Sequence, residues 1–183
     1  MKFTLFAKRL EEIEKVSSRL VMTDLLVGLI REVEKDETEE AVYLMLGELA
    51  PKWRNKEFMM ADKMVVRAIE SIVESRCGIG TVQTKYKVCG DLGSVAEDEI
   101  KQGGGDLTIG EVYERLSEIA NFEGTGSQDT KVEALAKLLK EVGGVGAKYV
   151  VRIVLGKLRL GFSDKTVLDA LSVMVTGGKE ERK

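Results

Sequence analysis

The alternation of apolar and polar residues along the chain predicts a series of short amphipathic helices. Between residues 20 and 33 apolar side chains recur at helical spacing, with Ser17 or Ser18 as the N-cap. Further stripes of this kind cover residues 41–49, 64–73, 132–142, 147–155 and 167–175. Pro51, Gly78 and Gly143-Gly144 are expected to end the first three of these helices, and Ser163-Asp164 is expected to cap the last.

Helix starts are also predicted from three stretches of the form Ser/Thr-x-x-Glu, at residues 94–97, 108–111 and 130–133. Evidence for strands is thin, because the best alternating stretch, residues 156–161, is too short for a sheet. We therefore predict an all-α fold: a compact bundle of about ten to twelve short helices, in one lobe or two, with one short extended basic turn.

Composition supports a folded helical protein. Of 183 residues, 44% are hydrophobic, which is enough to bury a core, and one proline against 19 glycines fits helices separated by glycine turns. No run reaches the roughly 18 to 20 consecutive apolar residues of a membrane span. The charged residues that soon follow Met1 do not resemble a signal peptide. We expect a soluble intracellular protein, with no membrane partner.

The absence of histidine removes several kinds of chemistry. It excludes Cys/His zinc sites and Ser/His or Cys/His nucleophile pairs, and two cysteines alone leave a tetrahedral zinc short of ligands. Cys77 and Cys89 are expected to be reduced and semi-buried. A stand-alone enzyme using carboxylates is disfavoured, because the acidic residues lie on helix faces that are expected to be solvated.

Charge is unevenly distributed along the chain although the net charge is only −3. Residues 31–48 contain seven acids against two bases, whereas residues 148–165 contain five bases and the single acid Asp164. This separation predicts one positive and one negative face. An alternative function is therefore a helical protein-interaction module whose acidic face meets a basic partner.

The stretch Lys157-Leu158-Arg159-Leu160, between Gly156 and Gly161, is the leading candidate for a functional segment. Its alternation sends both leucines to one side and both cations to the other. Such a turn fits a nucleic-acid backbone or minor groove. Spacing alone, however, favours a solvated basic loop.

Two other features indicate anion binding. Lys148 and Arg152 stand four residues apart on a predicted helix, a like-charge pair that an anion would relieve. Residues 124–131 place glycines, hydroxyls and Lys131 at a helix start, where free N–H groups and the helix dipole attract anions. An N-cap with a flexible loop explains the same residues equally well.

Residues 147–164 with 166–172 resemble the signature of the N-terminal DNA-binding domain of ATP-dependent DNA ligases, of the archaeal and eukaryotic replicative type. The stretches 13–20, 43–51 and 90–97 agree in the same order, so that the resemblance spans nearly the whole chain. It implies a domain over residues 1–176, followed at 177–183 by the start of a linker to an adenylation domain.

The resemblance implies a role in sealing nicks between 3′-hydroxyl and 5′-phosphate ends during replication, repair and recombination. The parent enzyme would use ATP and Mg²⁺, and its adenylation and OB-fold domains would close a ring with this domain around nicked duplex DNA. It would work in the prokaryotic cytoplasm, on the nucleoid, or in a eukaryotic nucleus. The implied DNA-binding residues are Gly156, Lys157, Arg159, Gly161 and Ser163 in the groove, Ser17, Arg19, Gly126, Ser127, Thr130 and Lys131 at phosphates, and Lys148 and Arg152.

Two family features are missing. The adenylation motif Lys-x-Asp-Gly does not occur, so the chain alone is expected to have no cofactor, no catalytic or metal-binding residue and no turnover. Archaeal relatives often carry a sliding-clamp-binding segment, whereas the loop at 102–106 has three glycines after Gln102 and no aromatic residue. Clamp binding through this loop is therefore not expected.

The resemblance also implies a salt dependence of DNA binding. Five or six cations on phosphates would give a slope of about −4 to −5 in a plot of log K against log salt.

Overall fold

A computed structural model describes residues 1–54, 56–73, 80–101 and 104–176. Within these ranges the chain forms ten α-helices and two 3₁₀ helices, the latter at Lys35–Glu37 and Lys52–Arg54. The α-helices are α1 (Phe3–Glu14), α2 (Arg19–Glu32), α3 (Thr38–Leu46), α4 (Asp62–Val73), α5 (Thr81–Cys89), α6 (Leu92–Glu99), α7 (Ile109–Asn121), α8 (Ser127–Val142), α9 (Gly144–Val154) and α10 (Asp164–Thr176). The predicted all-α fold is confirmed.

Helix α9 lies at the centre of the bundle, and every residue from Gly146 to Val154 is buried. It packs against α1, α6 and α8, while α4 packs on α8 and α10 packs on α2. The contact with α6 is especially close, since a β-carbon on Gly93 would lie 2.8 Å from the Lys148 carbonyl oxygen. The buried apolar side chains form one continuous core.

The predicted helices are present, but several begin or end elsewhere. The capping box at Thr108 and Glu111 is confirmed by both of its hydrogen bonds. The other two starts were wrong, because α6 begins after Asp91 and α8 after Gly126, which leaves Ser94 and Thr130 inside the first helical turns. Helix α3 ends at Gly47 (φ +71°), before Pro51, because glycine readily adopts the left-handed conformation.

Three further expectations concern the cysteines, the segments at residue 102 and at 177–183, and the possibility of a membrane span. Cys89 is exposed at the end of α5, contrary to the semi-buried position expected for it, whereas Cys77 and Gly78 lie outside the described residues. Gln102 and the segment 177–183 also lie outside them. None of the described helices has the length and apolar character needed to cross a membrane.

Candidate nucleic-acid interface

Residues 156–163, here called the basic turn, connect α9 to α10 by an irregular backbone. Gly156 and Gly161 have φ angles of +62° and +74°, and Arg159 has a φ of +57°. A side chain disfavours this region, so a non-glycine residue there marks a conformation imposed by its surroundings. The carbonyl of Ser163 then accepts the N–H groups of Thr166 and Val167, where α10 begins.

The side chains of the basic turn point in two directions. Leu160 is buried, 4% exposed, and Leu158 packs over Gly47, where a β-carbon would lie 3.0 Å from the leucine Cδ1. Lys157 and Arg159 are exposed. The turn is thus anchored by its leucines and presents its two cations at the surface, the arrangement that the alternating sequence predicts.

The two surface cations are oriented by neighbouring helices. The Lys157 ammonium lies 3.3 Å from a carboxylate oxygen of Asp62, and Tyr86 donates a hydrogen bond to the other oxygen. The Tyr86 hydroxyl and then Lys157 hold the pKa of Asp62 below its usual value. Arg159 donates one hydrogen bond of 2.8 Å to the Gly90 carbonyl. A guanidinium has five N–H groups, so this bond leaves most of its donor capacity for a ligand.

Arg152 and Lys148, by contrast, lie beneath the surface and are 3% and 7% exposed. Arg152 binds Asp91 with contacts of 2.6 and 3.1 Å and Glu14 with contacts of 2.8 and 3.1 Å. The Lys148 ammonium lies 3.2 Å from Glu11 and 3.4 Å from Glu14. The like-charge pair is therefore relieved by carboxylates of the chain itself, which leaves no need for a phosphate.

The pKa values of these groups agree with a fully ionised network. Burial alone would raise the pKa of Asp91, but hydrogen bonds from Arg152 and Ser94 outweigh it and leave the pKa below its usual value. The pKa of Glu14 is likewise lowered by Arg152 and Tyr149 despite burial. Burial would lower the pKa of Arg152, whereas its two carboxylate partners raise it. All three groups thus carry charge at neutral pH.

Arg152 also reaches the basic turn. One of its guanidinium nitrogens lies 3.4 Å from the carbonyl oxygen of Leu158. Because the same side chain binds Glu14 on α1 and Asp91 at the start of α6, it ties three parts of the fold together. Arg152 therefore holds the basic turn in position from beneath, and neither Arg152 nor Lys148 is available at the surface to contact DNA.

The start of α2 lies beside the basic turn. Ser17 and Arg19 are exposed, and Ser18 occupies the N-cap position without a side-chain capping bond. A β-carbon placed on Gly161 would lie 3.3 Å from the terminal methyl carbon of Met22, in the first turn of α2. The structure therefore brings the first turn of α2 next to the basic turn, and the resemblance implies that these two segments share one binding surface.

Residues 124–131, here called the glycine loop, lead into α8. Gly124 and Gly126 have φ angles of +88° and +84°, Ser127 is half-buried and Thr130 is exposed. Lys131 differs from its expected place at a phosphate, because it is only 5% exposed and donates a 2.7 Å hydrogen bond to the backbone carbonyl of Phe58.

The acid of the glycine loop is neutralised within the fold. Asp129 pairs at 2.7 Å with Arg67 of α4, so its charge is directed at a cation of the chain. An acid pointing into the helix start would repel a phosphate, and this pairing reduces the repulsion. The helix start can therefore offer the Ser127 hydroxyl to an anion, whereas the N–H groups of Ser127, Asp129 and Thr130 already donate to the carbonyls of Gly124 and Gly126.

Residues 56–60 lie between the basic turn and the glycine loop. They line a groove of 460 Å³ with Gly156 at one end of the turn. Lys56 and Met59 also line a second groove, of 510 Å³, with Lys131. Neither this segment nor Trp53, which precedes it in the chain, was among the residues predicted from the sequence. The chain has one tryptophan, and its place after Pro51-Lys52 in a polar stretch was the available signal.

Two observations concern the expectations for ATP and a divalent metal. Lys85, in the sequence closest in form to an adenylation motif, lies on the exposed surface of α5 and pairs with Glu99. Across the described ranges, no three acidic or thiol side chains gather where a metal ion could be held. We accordingly derive no chemical step through either group in this chain.

Comparisons with known proteins place the chain in a family. A family profile described as "DNA ligase N terminus" matches residues 2–172. The chain is 42% identical over 172 residues to a probable DNA ligase of Dictyoglomus thermophilum, covering 94% of this chain and 29% of the relative. It is 38% identical over 196 residues to a DNA ligase of Sulfurisphaera tokodaii, covering 100% of this chain and 32% of the relative.

A DNA ligase 2 of Thermofilum pendens is 37% identical over 193 residues, which cover 98% of this chain and 32% of the relative. The chain thus spans between 29% and 32% of the length of these three proteins. The profile match and these identities extend over nearly all of the sequence, including the basic turn. The chain belongs to the DNA ligase N-terminal family.

Proposed function

We propose that this chain is the DNA-binding domain of an ATP-dependent DNA ligase and that it holds duplex DNA from the minor-groove side around a nick. The observation that carries the proposal is the basic turn of a DNA ligase N-terminal domain, where Lys157 and Arg159 are exposed on a turn anchored by leucines. Phosphate contacts fix position without reading sequence, and minor-groove readout is degenerate. Sequence specificity is therefore weak.

The proposed interface comprises three parts: the start of α2 lies beside the basic turn, and residues 56–60 lie between the turn and the glycine loop. The basic turn provides Gly156, Lys157, Arg159, Gly161 and Ser163, the start of α2 provides Ser17 and Arg19, and the glycine loop provides Gly126, Ser127 and Thr130. Gly126, Gly156 and Gly161 have positive φ angles, which glycine tolerates because it has no β-carbon, and the missing side chain lets the backbone approach a sugar–phosphate strand closely. The positive end of the α8 dipole and the Ser127 hydroxyl favour an anion at the start of α8.

The sealing chemistry is assigned to other parts of the parent enzyme. In this proposal an adenylation domain and an OB-fold domain use ATP and Mg²⁺ to join a 3′-hydroxyl to a 5′-phosphate, while this domain holds the nicked duplex and helps to close a ring around it. The reaction serves replication, repair and recombination, on the nucleoid of a prokaryote or in a nucleus. The isolated chain contributes binding and no turnover.

Replacing Lys157 and Arg159 together with alanine is expected to weaken duplex binding by roughly 1 to 3 kcal/mol, since two charged contacts to phosphates are lost. This corresponds to about a fivefold to 150-fold rise in Kd. Fluorescence anisotropy with a labelled nicked duplex at low salt measures it. The control is Arg31→Ala with Lys35→Ala, which removes the same charge from exposed positions beyond the interface. Equal affinities for both double variants would contradict the proposal.

The salt dependence of binding tests how many cations meet phosphates. Because Lys131, Lys148 and Arg152 are buried, the cations of the proposed interface are Arg19, Lys157 and Arg159. Counterion release from three phosphates predicts a slope of about −2.7 in a plot of log K against log salt. This is shallower than the slope expected from the sequence. A slope near zero over a salt series would show that phosphates are not the ligands.

A further inference from the structure

Asp62 lies beside the basic turn of the proposed duplex-binding surface, although it carries the same charge as DNA. Its carboxylate is 3.3 Å from the Lys157 ammonium, and the two side chains are 38% and 50% exposed. Arg159, the other cation of the turn, donates instead to the neutral carbonyl of Gly90. One of the two cations proposed to meet phosphates is therefore already paired with an anion of the chain itself.

The Asp62 carboxylate is held in place by its surroundings. It belongs to the first turn of α4, where the positive end of the helix dipole favours an acid. Tyr86 of α5 donates a 2.5 Å hydrogen bond to its second oxygen. That hydroxyl is the main cause of the lowered pKa of Asp62. The carboxylate thus stays ionised and in position at neutral pH, whatever the lysine does.

Lys157 is the movable partner of the pair. Its backbone is fixed, since its N–H donates a 2.8 Å hydrogen bond to the Arg152 carbonyl. The rest of the side chain is a flexible four-carbon stem that ends in a half-exposed ammonium. The ammonium can therefore move from the carboxylate to a phosphate, whereas the carboxylate cannot follow it.

One ammonium cannot hold the Asp62 carboxylate and a phosphate without cost. Two anions that both accept hydrogen bonds from the Lys157 ammonium lie at most roughly 6 Å apart. This is shorter than the screening length of about 8 Å at physiological salt, so their repulsion is only partly screened. A phosphate that binds Lys157 must consequently draw it away from Asp62.

We propose that Asp62 competes with DNA phosphate for Lys157 and thereby limits the affinity of the domain for duplex, a role that rests on the proposed function above. The pair opens where other contacts of the surface have already brought a phosphate close, because the effective concentration of that phosphate is then high. A free anion in solution has no such advantage over a carboxylate held 3.3 Å away. Lys157 therefore binds DNA only together with the rest of the interface.

The variant Asp62→Asn keeps the size of the side chain and removes its charge. It is expected to tighten binding of nicked and intact duplex alike, by about twofold to fivefold, the range that breaking an exposed ion pair accounts for. Fluorescence anisotropy with both labelled duplexes measures this gain. Asp62→Glu keeps the charge and should bind like the unaltered chain. The matched control is Asp36→Asn, at an exposed position outside the interface, which should change neither affinity.

A double-mutant cycle shows whether Asp62 acts through Lys157. In the Lys157→Ala background, Asp62→Asn can only remove repulsion between the carboxylate and DNA, so its gain in affinity should be smaller than in the unaltered chain. Circular dichroism melting confirms that each variant is folded. Asp62→Ser, which also suits a helix start, is the second variant and should give the same gain as Asp62→Asn.

The outcomes separate the two proposals. If Lys157→Ala with Arg159→Ala weakens duplex binding but Asp62→Asn leaves it unchanged, or gains equally in both backgrounds, the competition is absent and the proposed function stands without it. Weaker binding by Asp62→Asn would show that Asp62 orients Lys157 towards DNA, which also overturns the inference. If the unaltered chain binds neither duplex, both proposals fail.

Discussion

Replacing Arg152 with alanine is expected to lower the free energy of unfolding by about 3–5 kcal/mol, the cost of leaving a buried charge without its partner. The guanidinium is 3% exposed and satisfies Asp91 and Glu14 with four hydrogen bonds no longer than 3.1 Å. Without it, both carboxylates stay in the fold with fewer donors and lose the cation that holds their pKa values low.

Urea unfolding followed by circular dichroism measures this loss. The control, Arg31→Ala, removes the same charge from an exposed position on α2, where a change within about 0.5 kcal/mol is expected. Arg152→Met combined with Glu14→Gln should cost less than the sum of the two single changes, because the partners act as one unit. A loss below about 1 kcal/mol for Arg152→Ala would show that the network contributes little.

The sequence predicts the helices well where the signal is local. Each amphipathic stripe has its own helix, although the stripe at 41–49 extends beyond the end of α3 at Leu46, and Gly143 with Gly144 separates α8 from α9 as expected. Helix starts are less predictable, because several polar residues compete for one cap. Asp91 accepts the N–H of Gly93 and so displaces Ser94 as the N-cap of α6, whereas Asp106, two residues before Thr108, pairs with Lys2 and Thr108 forms its capping box.

The same distinction applies to the interface. Alternation alone predicts that Leu160 is buried and that Lys157 and Arg159 are exposed, since the period is a local property. The burial of other cations depends on contacts distant in sequence: Arg152 meets Glu14 across 138 positions, and Lys131 meets the Phe58 carbonyl across 73. No periodicity reports such pairs.

Local patterns also do not indicate which large apolar side chains remain outside the core. A tryptophan is expected to be well buried on average, and the exposure of Trp53 follows from a segment whose neighbours Phe58 and Met60 occupy the core while Met59 is turned outward. Only the packed structure shows which large apolar side chains are left outside.

Leu160→Ala is expected to lower the free energy of unfolding by about 2–5 kcal/mol, the usual cost of removing a buried leucine side chain. Leu160 is 4% exposed and anchors the basic turn in the core, beside a groove lined by Met45 and Phe162. Because the turn keeps both cations, any accompanying loss of DNA affinity reports on their placement. We expect duplex binding to weaken although Lys157 and Arg159 are unchanged.

Urea unfolding and anisotropy on the same preparations separate these two effects of Leu160→Ala. Leu168→Ala is the matched control, because the same atoms are removed from a side chain that is 64% exposed, and it should leave both stability and binding nearly unchanged. Leu160→Met keeps the volume and should cost less than about 1.5 kcal/mol while restoring duplex affinity. If Leu160→Ala is destabilised yet binds nicked duplex as tightly as the unaltered chain, the anchoring of the turn does not set the position of its cations, and phosphate binding must tolerate a mobile turn.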